Sequence, residues 1–118
     1  MKIINIKNFK KLPFENEFFE NIICLSVLSL VGGKSNIKNL MKEFMRVLMP
    51  GGLMLVDING NKGDFAKDKT KKITCLKSKK NFLNLVNKKI LKTIFIGEIY
   101  KDYSNISDHE YIMLLKKL

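Results

Sequence analysis

Apolar residues along this chain fall into blocks that change from the continuous runs of buried strands to helical spacing and back. Ile3–Ile6 is a short β-branched run and reads as a strand. Lys7–Phe14 reads as a turn, because Pro13 cannot donate a backbone N–H or extend a helix. Phe19–Leu25 is nearly continuous in apolar residues, the pattern of a strand buried on both faces of a parallel sheet. Ser35 is placed to cap a helix whose apolar positions Ile37, Leu40, Met41, Phe44, Val47 and Leu48 recur at helical spacing. Pro50-Gly51-Gly52 stops that helix, and Leu53–Ile58 reads as a second buried-type strand. The order strand, strand, helix, strand predicts an α/β protein.

The second half is less regular. Asn59–Leu76 is polar and lysine-dense, with Gly60 and Gly63 allowing turns, and reads either as a mobile loop or lid or as plain disorder. Ser78 caps a second helix carrying Phe82, Leu85 and Val86 on one face. Thr93–Tyr100 and Glu110–Leu115 read as two antiparallel strands, joined by a turn over Asp102–Asp108. No repeat or domain boundary interrupts the 118 residues, so the expectation is one domain over 1–118.

Two segments carry a family resemblance. Lys11–Val31, KLPFENEFFENIICLSVLSLV, resembles the segment of small class I S-adenosylmethionine (SAM)-dependent methyltransferases that runs from an LPF turn through a buried strand. Leu40–Asp57, LMKEFMRVLMPGGLMLVD, resembles the same family's helix–PGG–strand segment, with Glu43, Arg46, Val47, Leu48, Pro50, Gly51 and Gly52 in place. Phe95–Leu118 is similar to the family's closing hairpin, with His109-Glu110-Tyr111 in register. The resemblance implies a partial Rossmann-like α/β sheet of the family's strands 3, 4 and 5, then an antiparallel 6–7 hairpin, with flanking helices. Its first two strands and its glycine-rich cofactor loop have no counterpart in this sequence. Counted against the family, the sequence starts at or just before the third strand, as an N-terminally truncated domain would.

The resemblance also implies which residues meet SAM. In open α/β sheets the ligand sits at the carboxyl ends of the strands. Asn8 stands where the family usually has an acidic residue before the LPF turn, and its carbonyl oxygen would accept from the adenine amino group. Phe9 and Leu12 would line that pocket. Ser26, at the end of the fourth-strand segment, matches a position facing the methionine portion of SAM. Phe9 reads equally well as a core aromatic, and Ser26 as a strand-end hydroxyl satisfying backbone. No residue is singled out as catalytic. Ser29 and Leu30 replace a frequent Glu-His pair, and His109, the one histidine, falls at a position that is commonly structural.

Three functions follow as alternatives. The first is methyl transfer from SAM to an unidentified acceptor, with the chain inactive alone; whether it is itself an enzyme stays open. The second is a non-catalytic remnant, or the partner subunit of a split methyltransferase. Removing the first two strands would leave the Phe19–Leu25 strand as an apolar edge. Pairing with Ile3–Ile6, a homodimer, or a separate N-terminal half would then cover it. The third is a basic module gripping nucleic acid with the lysines between Lys62 and Lys92.

Composition weighs on that third reading. The net charge is +11, but Arg46 is the one arginine, and bidentate phosphate recognition favours Arg. Only Phe65 and Phe82 provide aromatics in the 62–92 stretch, and the lysines spread over the whole sequence, so nucleic acid is disfavoured as a partner. No apolar run approaches the roughly 18 residues of a membrane span, so no membrane is expected. Cys24 and Cys75 are far apart, without a CxxC or a neighbouring histidine. They read as reduced packing thiols in a cytoplasmic protein, and no metal site is expected.

Overall fold

The computed structural model describes residues 2–68, 70 and 72–118. Its elements are β1 (Phe19–Cys24), α1 (Lys34–Val47), β2 (Leu48–Asn59), α2 (Asp64–Lys67), α3 (Lys79–Leu83), β3 (Leu91–Tyr103) and β4 (Ile106–Lys117). A 3-10 turn at Leu28–Leu30 lies between β1 and α1. The sheet order is β1-β2-β4-β3. β1 and β2 run parallel, with Cys24 opposite Val56, while β4 is antiparallel to both β2 and β3. This is the α/β sheet expected from the sequence, with a closing hairpin after two parallel strands.

The core lies on one face of the sheet. Met54, Val56 and Ile58 of β2 oppose Leu115, Met113 and Tyr111 of β4, and all six are at most 2% exposed. Ile37, Leu40, Met41 and Met45 of α1 cover them, with Phe82 of α3 in the same cluster. On the other face, Ile23, Leu55, Leu114 and Phe95 form an apolar row across all four strands. That row stays open: Ile23 is 72% and Phe95 56% exposed. The outer edge of β1 is also unpaired among the described residues.

Several expectations need correcting. Ile3–Ile6 is not a strand, and Ile3 is 85% exposed. A strand needs a neighbour to satisfy its ladder, and no described strand pairs with this run. The family's third strand is therefore absent from the sheet of the described residues, and Ile3–Ile6 does not pair with β1. Gly33, not Ser35, caps α1, and it does so without a side-chain bond. Its φ of 111° suits a residue without a side chain. The helix ends at Val47, so Pro50-Gly51-Gly52 lies within β2 and produces a register shift against β1 between Phe19 and Asn21. The turn expected over Asp102–Asp108 shrinks to Ser104 and Asn105, with Tyr103 opposite Ile106. Ser78 does cap α3, its hydroxyl accepting from the Asn81 N–H at 3.2 Å.

Candidate functional site

The carboxyl ends of β1 and β2 meet in one corner. Just past β1, Ser26 takes a left-handed conformation (φ 58°), and its N–H donates to Oδ1 of Asp57 at 2.7 Å. Asp57 is on β2 and 5% exposed, so a buried carboxylate fixes the bend that turns Ser26 outward. The Ser26 hydroxyl has no hydrogen-bond partner among the described residues. Next to it, Ser29 ties two further segments. Its hydroxyl accepts from the Asn59 N–H, and its carbonyl accepts from Thr74 N–H, both at 2.9 Å. In the sequence Ser29 stands out only as a departure from the family's Glu-His pair, which gives no sign of these two bonds.

On β4, Asp108 and Glu110 extend this corner; Glu110 lies opposite Asn59, whose amide donates to Asp108 at 3.1 Å. Burial pushes the Glu110 carboxyl up to about 7, reinforced by a hydrogen bond with Asp108 and by the negative charge of Asp57. Lys101, 3.4 Å away, only partly offsets this. Glu110 can therefore hold or release a proton near neutrality. A carboxyl raised in the folded state binds its proton more tightly there than in the unfolded chain. Stability then falls as pH rises from the ordinary value near 4.5 to about 7. Glu110→Gln is expected to remove that slope and to stabilise the chain by roughly 1–2 kcal/mol above neutrality. Thermal melts of both proteins across this pH range would read it; parallel profiles would show that Glu110 ionises normally.

The remaining expected site residues lie on the segment before β1. Asn8 is exposed, and its Oδ1 accepts from the Lys10 N–H at 2.9 Å, leaving the Nδ2 donors outward. Phe9 is half-buried against the core, and Leu12 lies within it. The Leu12 N–H donates to Glu43 Oε1 at 2.7 Å and its carbonyl accepts from Arg46 at 3.1 Å, so both groups serve the fold. No hydrogen bond among the described residues joins Asn8 to Ser26.

The expected lid is anchored. Asn59 and Leu76 are joined by a backbone bond of 2.9 Å, and the Ser107 N–H donates to Asp64 at 2.7 Å. His109 is fully buried between them: its Nδ1 accepts from the Lys62 N–H at 3.2 Å, and its ring stacks on Tyr100. A Cβ on Gly60 would fall 2.1 Å from His109 Nδ1, so glycine there and histidine on β4 fit as a pair. His109 thus packs the segment onto the hairpin. Burial beside Asp57 pushes the Cys24 thiol up to about 12, which removes it as a nucleophile.

Residues 3–56 match the sequence model of the methyltransferase domain family. A SAM-dependent methyltransferase from Methanosarcina mazei superposes with a TM-score of 0.77 at 14% identity, over 97% of this chain and 66% of that one. The N-methyltransferase NodS from Bradyrhizobium japonicum, solved with S-adenosyl-L-homocysteine (SAH), gives 0.67 at 11% identity, over 94% and 52%. The [4+2]-cyclase SpnF gives 0.68 at 14% identity, over 96% and 56%. No curated protein matches the sequence. The chain thus carries the fold of the SAM-dependent methyltransferases, with a methyltransferase-domain match over residues 3–56, and it spans about half to two thirds of the length of these structures. No helix among the described residues is long and apolar enough to cross a membrane.

Proposed function

We propose that this chain supplies part of a SAM-dependent methyltransferase acting on an unidentified acceptor, in the cytoplasm, where its two free thiols stay reduced. The observation that supports it most is the corner where β1 and β2 end, in a sheet of this family's fold. There Ser26 presents a hydroxyl, without a partner among the described residues, on a bend held by Asp57. The donor set suits SAM in part. Ser26 would face the methionine portion, while Asn8 and Phe9 would flank the adenine, with Leu12 holding them from beneath. When bound, SAM supplies an activated methyl group, and the protein's task is to place an acceptor in line with it.

The same fold leaves two surfaces open, the β1 edge and the Ile23–Phe95 face. The sequence contains no glycine-rich loop after a strand. We therefore place the partner on those surfaces: a polypeptide bringing strands, a glycine-rich loop and helices. A net charge of +11 favours an acidic partner over a second copy of this chain.

Calorimetric titration of SAM and SAH into the 118-residue chain, monodisperse by gel filtration, tests the reading. Weak or no binding alone, with binding gained when such a partner half is added and lost in Ser26→Tyr, is the expected result. Failure to bind in both settings by a folded chain would overturn the cofactor assignment. Binding without turnover would favour the second reading, a non-catalytic partner subunit.

A further inference from the structure

At the far end of the sheet from Ser26, where β1, β2 and β3 begin, lies an open groove of about 890 Å³. Its cationic lining comes from three elements distant in sequence. Lys38 and Lys42 project from α1, and Lys89 comes from the loop before β3. Among the described residues, none of these three has a carboxylate or hydrogen-bond partner on its ammonium group. Two further cations reach the groove but are spoken for. Lys117 Nζ donates to the carbonyls of Met45 and Leu48, both at 2.7 Å, at the carboxyl end of α1. Arg46 is paired with Glu43. The one acidic side chain on the wall is Glu17. Asn39, Asn84 and Asn87 place amides between the lysines, and Met45, Leu85 and Ile90 provide an apolar floor.

The sequence discounts the positive charge because lysines occur everywhere in it. The fold changes that weighing, because it gathers separate lysines around a concavity with amides and apolar surface. Ammonium groups are point charges suited to phosphate oxygens. Amides can bond the edges of a heterocycle, and the floor can accept its face. No aromatic ring lines the groove, so stacking contributes nothing and the phosphates must dominate.

We propose that this groove binds the phosphates of a nucleotide, either a free nucleoside polyphosphate or a short single-stranded segment. Their shared chemistry is clustered phosphate oxygens beside a heterocycle. The site is separate from the strand-end corner and does not depend on the methyltransferase reading.

The test is fluorescence anisotropy of a labelled single-stranded oligonucleotide and of a labelled nucleoside triphosphate, each over a salt series. Three contacts at about 0.7 per phosphate predict a slope of about −2 for log K against log salt with the oligonucleotide. The variant K38Q/K42Q/K89Q is expected to flatten that slope and to weaken binding at low salt by on the order of a hundredfold. The variant K67Q/K77Q/K80Q removes the same charge elsewhere and is expected to bind as the parent does. Melting curves confirm that both are folded. Which probe binds more tightly distinguishes the two sources. Equal losses in the two variants, no binding by the parent, or equal groove-dependent binding of a polyglutamate peptide would each overturn the proposal.

Discussion

Replacing Glu43 by alanine is expected to destabilise the chain by about 3 kcal/mol and to lower its melting temperature by roughly 10–20 °C. Glu43 is a charged residue on α1, yet only 7% exposed. Its Oε1 accepts from the Leu12 N–H at 2.7 Å and from Arg46 at 2.8 Å, and its Oε2 accepts from the Arg46 Nε, also at 2.8 Å. Arg46 in turn donates to the carbonyls of Leu12 and Phe14. One carboxylate and one guanidinium thus fasten the Leu12-Pro13-Phe14 turn onto the helix. Alanine would strand a buried N–H and leave Arg46 without its counter-ion, and losing one partner costs more than the intact pair contributes. Glu43→Gln keeps an acceptor for Leu12 and should lose about half as much.

The pH dependence separates charge from packing. The bonds from Arg46 hold the Glu43 carboxyl below its ordinary value of 4.5, and the Leu12 N–H adds to this. A carboxyl lowered in the folded state contributes stability that is fully present above the ordinary value. That stability is lost as pH falls through the lower, folded value. Thermal melts from neutral pH into acid should show this loss in the parent and not in Glu43→Ala. The same acid sensitivity in both proteins would mean that the carboxylate is not the group holding the turn.

That clamp was only half legible in the sequence. Glu43 and Arg46 are three apart on a helical stripe, which predicts neighbours on one face but not the turn they grasp. The strands from Phe19 onward were legible because apolar runs between glycine, proline and polar punctuation leave few other readings. Ser78 was legible as a cap because its bond to Asn81 is local. Ile3–Ile6 misled because β-branched composition speaks for a strand and says nothing about whether a neighbour exists to pair with it. Asn59–Leu76 was legible only as polar sequence with glycines, which does not reveal what those glycines meet. There the glycines are sites of close approach, Gly60 to the His109 ring and Gly63 to the His109 backbone. The acidic corner of Asp57, Asp108 and Glu110 was out of reach for the same reason. Its members lie far apart in sequence and meet only through the β2–β4 register.

The PGG segment shows how far adjacent, identical residues can differ. Gly51 has a φ of 80°, and a Cβ there would meet nothing within 4 Å. Gly51→Ala should therefore cost only the strain of a left-handed side chain, about 1–2 kcal/mol. A Cβ on Gly52 would lie 2.4 Å from the Glu20 carbonyl oxygen, 2.9 Å from that of Met49 and 2.8 Å from a Leu48 methyl group. Two of these neighbours are backbone, and Leu48 is fully buried, so none can step aside cheaply. Gly52→Ala must push β1 away from β2 at the register shift between Phe19 and Asn21, at a cost of about 3 kcal/mol or more. Because β2 is the one strand neighbour of β1 among the described residues, the damage should travel to the Ser26 bend. Urea unfolding of the two single variants checks the difference. A much lower midpoint for Gly52→Ala than for Gly51→Ala is expected, together with faster exchange of the Ser26 amide in Gly52→Ala alone. Equal midpoints would mean that the β1–β2 junction has room for a methyl group, and that both glycines serve only the turn.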